Sequence, residues 1–321
     1  MARRQGNPVV WETALSVEQW TMVDSGGIDR PRHKSIRPGL VAAVLVGVAL
    51  TTPAHSAGDP KRGEYVARLG GCHSCHTDPA RKDAPLAGGL ALTTTYGTFH
   101  VPNITPDRET GIGRWNEADF IRSMTEGVAP DRSHYYPAFP FTSYTRMLPQ
   151  DLRDLKAYLD TVRPVRNAVP PHELRFPYNL RFALGVWKWF FFRPGPFQPD
   201  PVKSASWNRG AYLATGPGHC GECHTVRSFF GAPNKKHAFA GAKKGLDGKR
   251  VANITPHPKD GIGLWSVADV VEFLKTGNLP YGETTNPPMD RVIDTSTSYW
   301  TDADLKATAE YLLSLRERQT P

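Results

Sequence analysis

Cys72-His-Ser-Cys75-His76-Thr77 and Cys220-Gly-Glu-Cys223-His224-Thr225 contain all four cysteines of this 321-residue chain. Two thiols three positions apart sit one helical turn apart, where each can add to one vinyl group of a haem. The adjacent histidine then reaches the iron from the proximal side. Other uses of the motif fit less well. Zinc would need a second ligand pair at each site, or both pairs shared on one ion across the repeat. A thioredoxin-type pair has no need of the following histidine, and no strand–helix alternation surrounds these motifs. A disulfide across so short a loop is strained, and four cysteines are too few to staple a chain of this length. The reading is two covalently bound haem c groups, with His76 and His224 as proximal iron ligands.

The surrounding sequence repeats with the motif. Arg62-Gly63-Glu-Tyr65 returns as Arg209-Gly210-Ala-Tyr212, and Asn103-Ile-Thr-Pro106 returns as Asn253-Ile-Thr-Pro256. Gly111-Ile-Gly113-Arg-Trp115 returns as Gly261-Ile-Gly263-Leu-Trp265, and Asp151 to Leu159 returns as Asp304 to Leu312. The offsets grow only from 147 to 153, so order is kept with small loop insertions. The chain is two copies of one domain.

Each copy predicts three main helices. The first starts near Pro60 and ends at the cysteine motif. The middle one opens on Asn116-x-x-Asp119 or Ser266-x-x-Asp269, both capping-box patterns, and closes at Gly127 or Gly277. The last starts at Pro149 in copy one and at the box Thr301-x-x-Asp304 in copy two. Its apolar positions 152, 155, 158 and 159, with 305, 309 and 312 in copy two, give it one buried face. Gly63 and Gly210 would let the first helix cross another closely, and the Tyr-Leu pair of the last helix is the expected contact. The organisation is therefore a leader with signal peptide over 1–57, a first domain over 58–160, a linker over 161–207 and a second domain over 208–321. Eight prolines in the linker predict extended chain, and Trp187 to Phe192 is expected to pack between the domains as shared core, the alternative being a docking surface for a membrane face or a partner subunit.

Composition narrows the function. Gly plus Pro is about 18% of the chain, which favours long loops over a regular bundle. A mean hydropathy of -0.44 excludes a polytopic membrane protein. Arg30, Arg32, Lys34 and Arg37 precede the apolar run Leu40 to Leu50, and small residues follow, the pattern of a secretory signal. Export and the lack of any basic run argue against nucleic acid as partner, despite a net charge of +6 over residues 58–321.

The sixth iron ligand differs between the copies. Met289 lies in a proline-rich loop 15 residues before Asp304 and is the expected thioether ligand of the second haem. In copy one Met147, four residues before Asp151, is the first candidate. His134 or an open coordination position remains an alternative, and Met124 reads as core.

With Asn-Ile-Thr-Pro and Gly-Ile-Gly-x-Trp following each motif, residues 58–321 resemble the multihaem cytochrome c subunits of membrane-associated bacterial dehydrogenases. That group acts on alcohols, gluconate, aldehydes or nicotinate. The resemblance implies a mainly α fold of two tandem class I-type cytochrome c domains with long loops. It also implies that Asn103, Trp115, Asn253 and Trp265 line the haem pockets. Many members carry three haem domains and a C-terminal anchor; this sequence stops after two and ends in Arg316-Glu-Arg318, like the shorter dihaem members. Relatives often read Tyr-Pro-Ala-Met-Pro where this chain has Tyr136-Pro-Ala-Phe139-Pro, which puts the first sixth ligand in doubt. The implied function is a periplasmic electron carrier, not itself an enzyme. It would link a dehydrogenase catalytic subunit of flavin, molybdenum or quinone type to a quinone, oxidase or soluble cytochrome. Attachment to the outer face of the inner membrane would run through that partner. The rival reading is a dihaem cytochrome c peroxidase with an open first haem.

Overall fold

Asp59 starts the first helix: its carboxylate accepts from the amides of Lys61 and Arg62, while Pro60 fills a position needing no amide partner. The computed structural model describes residues 57–245, 247–285 and 287–321, so the expected signal peptide lies outside the described residues, Ala57 apart. Helix α1 runs Pro60–Leu69 and the short α2 spans Cys72–His76. A hairpin of β1 (Ala91–Thr94) and β2 (Gly97–His100) follows, then α3 (Glu117–Glu126), α4 (Phe141–Tyr144) and α5 (Pro149–Thr161). Between the repeats lie β3 (Glu173–Leu174), which pairs with β2, and α6 (Ala183–Phe191). The second repeat supplies α7 (Ala205–Thr215), α8 (Cys220–Cys223), α9 (Val267–Thr276), α10 (Met289–Thr295) and α11 (Asp302–Leu313). The fold is mainly α, as expected.

Helix ends follow the sequence signals with two exceptions. Gly127 and Gly277 close α3 and α9 at φ 64° and 81°, a left-handed conformation that glycine adopts without steric cost. Only Ser266 completes a capping box, its amide donating to Asp269. At the start of α3 the Asp119 carboxylate turns to Arg122, and at the start of α11 the Asp304 carboxylate is taken by Arg209 and Tyr65.

Each repeat is held by its first and last helices crossing at glycine. A methyl group on Gly63 would sit 1.8 Å from the Asp154 carbonyl oxygen and 2.7 Å from Tyr158 Cβ. On Gly210 it would sit 1.9 Å from the Ala307 carbonyl and 2.9 Å from Tyr311 Cβ. The expected tyrosine of the last helix is thus at each crossing, with backbone packed closer still. Beneath lie Leu152, Leu155 and Leu159 in repeat one and Leu305, Ala309 and Leu312 in repeat two, all buried. Each fully buried leucine contributes about 1.5–3 kcal/mol of apolar transfer.

The two repeats embrace reciprocally. Tyr65 of α1 donates to Asp304 of α11 (2.7 Å), and its counterpart Tyr212 of α7 donates to Asp151 of α5. Arg68 reaches the Thr295 carbonyl in repeat two, while Arg291 reaches the Thr77 carbonyl in repeat one (2.6 Å). The tyrosine–aspartate contacts join equivalent residues in both directions, as in a two-fold interface within one chain, whereas the two arginine contacts come from non-equivalent positions. The result is one compact unit.

The linker departs from expectation. Residues 183–191 form a helix, because the prolines flank this window at 177 and 194 and leave it proline-free. Its aromatic residues do not form a shared core: Phe192 is buried, but Trp189 and Phe190 point to solvent.

Candidate haem-attachment sites

Gly71, at φ +60°, turns the chain sharply from α1 into α2, and His219, at φ +39°, makes the same turn into α8. One helical turn then presents both thiols. The histidine that follows is fixed from behind. His76 Nδ1 lies 2.7 Å from the Pro102 carbonyl and His224 Nδ1 lies 2.8 Å from the Ala252 carbonyl. A carbonyl only accepts, so Nδ1 carries the proton and Nε2 keeps its lone pair for a metal. Burial lowers both imidazoles, His76 to about 4, which keeps the ring neutral and ready to ligate.

All four cysteines are free thiols. Burial pushes Cys72 and Cys220 up to about 12 and Cys223 to about 11, although the Cys223 residue retains solvent access. Among the described residues no group of three or more His, Cys, Asp or Glu side chains gathers to hold a bare ion. The donor set fits a haem, whose iron is already held by its macrocycle, and speaks against zinc shared across the repeat.

The threonine after each motif is structural. Thr77 Oγ1 accepts from the Leu86 amide and Thr225 Oγ1 from the Phe239 amide, both at 3.1 Å. Gly88 and Gly241 then close on the His76 and His224 carbonyls. Sequence reading passed over this threonine, although its repetition at both motifs was the signal.

The Asn-Ile-Thr-Pro asparagines are also committed to the backbone. Asn103 donates to Thr110 Oγ1 and the Val165 carbonyl, and accepts from the Thr105 amide and hydroxyl, so all four of its hydrogen bonds are made. Asn253 repeats the pattern, donating to the Arg318 carbonyl and accepting twice from Thr255. These amides tie the loop to the segment leaving the last helix. Trp115 and Trp265 are half-buried against the cores of their repeats.

The methionines do not occupy equivalent places. Tyr135 and Thr285 both donate their amides to the glycine that ends the middle helix, an offset of 150 that carries Phe139 onto Met289. Met147 directly precedes the cap of α5 and matches Trp300, which directly precedes the cap of α11. Met147 is 1% exposed and shares a buried cluster with Cys72, Tyr144 and Met124. Met289 opens α10, half-buried against the core of repeat two. His134 is turned toward α6, where its Nδ1 accepts from Lys188 Nζ (3.0 Å).

Each attachment helix is clasped by the other repeat. Ser74 in α2 bonds Thr295 in α10 at 2.6 Å. Glu222 in α8 accepts from Thr142 and Ser143 in α4 and pairs with Arg227. Burial opposes the Glu222 charge, yet Arg227 and the two hydroxyls hold this carboxyl below its usual range.

Two haem-attachment helices on two copies of one helical frame define a c-type cytochrome with two haems. The cytochrome c family profile matches residues 60–163. The chain is 41% identical to a diheme c-type cytochrome of Cereibacter sphaeroides, over 87% of this chain and 97% of that protein. It is 40% identical to the cytochrome subunit of the fructose dehydrogenase of Gluconobacter japonicus, covering 79% of this chain and 52% of that protein. It is also 39% identical to the cytochrome c subunit of the quinone alcohol dehydrogenase of Gluconacetobacter polyoxogenes, covering 85% and 59%. The chain belongs to the diheme c-type cytochromes, electron carriers related to the cytochrome c subunits of dehydrogenases.

Proposed function

We propose that this protein works outside the cytoplasm, taking electrons singly from a dehydrogenase catalytic subunit and passing them to a quinone, an oxidase or a soluble cytochrome. Haem iron, when bound, supplies the one-electron couple. The observation that carries the reading is the reciprocal clasp of α2 and α8, each held by a short helix of the other repeat. Such an arrangement suits a relay through the protein better than two independent carriers. On this reading Cys72, Cys75 and His76 hold one haem and Cys220, Cys223 and His224 the other. The Pro102 and Ala252 carbonyls orient the two imidazoles.

Met289 would complete the second site. Met147 is the candidate for the first, supported by its burial in the cluster that holds Cys72. Phe139 in the position of Met289 is the one observation favouring an open first site, and with it peroxidase chemistry.

The test is haem-by-haem removal. Cys72→Ala/Cys75→Ala and Cys220→Ala/Cys223→Ala should each leave one covalent haem by mass. Each should abolish electron flow from the co-purified dehydrogenase to the acceptor, while the dehydrogenase still reduces an artificial dye. Full flow through either single-haem variant would refute the relay. A high-spin ferric haem with rapid peroxide turnover would replace it with the peroxidase reading.

A further inference from the structure

Helix α6 is fastened on two sides and bare on a third. Toward repeat one, Lys188 Nζ donates to the Glu126 and Gly127 carbonyls at the end of α3, and Phe192 packs edge-on against Phe141 at 5.1 Å. Toward repeat two, Trp187 Nε1 donates to the Phe230 carbonyl (2.8 Å) and Phe191 stacks on Phe230 at 6.0 Å. The remaining face presents Phe182, Val186, Trp189 and Phe190, one stripe of a helix at i, i+4, i+7 and i+8. These four, with Phe229 and Phe230 from the neighbouring loop, are between 60% and 79% exposed. Ring contacts join Trp189, Phe190, Phe229 and Phe230 through Phe191: Trp189–Phe190 at 4.5 Å, Phe190–Phe191 at 6.2 Å, Phe191–Phe230 at 6.0 Å and Phe229–Phe230 at 5.5 Å. A soluble surface rarely leaves so continuous an aromatic patch in water.

The charges around the patch say what covers it. Residues 174–193 contain Arg175, Arg181, Lys188 and Arg193 and no Asp or Glu. Lys188 is used inside the protein, which leaves three exposed arginines. Trp and Phe on one face of a segment whose own charges are all cationic is the composition of a helix lying in the plane of an anionic bilayer. The aromatic side chains protrude rather than line a recess, and a lipid surface accepts protruding side chains without a matching pocket. At nine residues α6 cannot span a membrane, and no other helix among the described residues is long and apolar enough to cross one.

We propose that this face of α6, with Phe229 and Phe230, seats the protein directly on an anionic lipid surface. The proposal rests on this face alone and not on the proposed function, so it stands whichever substrate a dehydrogenase partner takes.

Vesicle flotation of the two-haem protein, followed by haem absorbance and free of its dehydrogenase, tests this. Wild-type protein should float with phosphatidylcholine–phosphatidylglycerol vesicles and bind pure phosphatidylcholine more weakly. Binding should fall in 1 M NaCl, where the screening length is about 3 Å. Trp189→Ser/Phe190→Ser and Phe229→Ser/Phe230→Ser should each lower the partition coefficient about tenfold or more, with haem content and thermal midpoint retained. Absence of wild-type flotation with anionic vesicles would overturn the proposal, as would unchanged flotation of both variants. A dimer that the substitutions convert to monomer, with no vesicle binding, would assign the face to a second copy. In a parallel co-purification with the dehydrogenase, loss of that protein from the variants, with vesicle binding intact, would assign the face to it.

Discussion

Replacing Gly210 with alanine sets two opposed effects against each other. Helix propensity alone favours the change, since alanine is better than glycine in a helix interior by about 1 kcal/mol. The crossing of α7 and α11 opposes it. The new methyl group would lie 1.9 Å from the Ala307 carbonyl oxygen, against 3.4 Å or more in ordinary contact, so the helices must part by about 1.5 Å. Overpacking costs about 1–3 kcal/mol. The upper end applies here because the obstruction is backbone in the middle of a helix and cannot swing aside. The net expectation is destabilisation by about 2 kcal/mol, or a melting temperature about 4–8 °C lower for a unit of this size. Thermal unfolding of the ferric holoprotein would measure it, with the reduced haem spectrum confirming that both groups are attached. Gly63→Ala should behave alike, because its methyl group would lie 1.8 Å from the Asp154 carbonyl. A melting temperature equal to or above wild type in either variant would refute the crossing as the source of repeat stability.

Two further outcomes are expected. Met289→Leu should remove one far-red thioether–iron band from the ferric spectrum and lower the potential of the second haem, leaving haem content intact; an unchanged spectrum would exclude Met289 as ligand. Burial works against the charge of Asp304, but Arg209 and Tyr65 outweigh it and hold the carboxyl below the usual range. Its stabilising contribution is therefore full above the ordinary carboxylate pKa of about 4 and is lost as pH falls through the lower folded value. Thermal melts at stepped acidic pH should show a steepening loss below about pH 4 that is weaker in Asp304→Asn, and parallel curves would contradict the pairing.

Much of the frame was legible because it rests on local chemistry. Pro60, Pro149, Gly127 and Gly277 mark helix ends by what their own backbones permit, and the observed ends fall there. Asp119 and Asp304 misled for the opposite reason. Their spacing is that of a capping box, but a carboxylate goes to the strongest donor within reach: Arg122 lies one turn along the same helix, and Arg209 is brought to Asp304 by folding. Asn103 and Asn253 stand out as repeated residues, yet only the folded loop shows their hydrogen bonds taken by Val165 and Arg318, more than 60 residues away. In the linker, overall proline content hid a proline-free window long enough for α6.

The sequence by itself determined the cofactor chemistry and the duplication, because covalent attachment needs two thiols and a histidine at fixed spacing on one helical turn. Tertiary structure decided how the copies meet. Tyr65 and Tyr212 sit on first helices that look internal to their own repeats, yet each spends its hydroxyl on the last helix of the other. Tertiary structure also decided that the α6 aromatics face outward. These outcomes depend on which surfaces two folded bodies bring together, and spacing along the chain does not encode that.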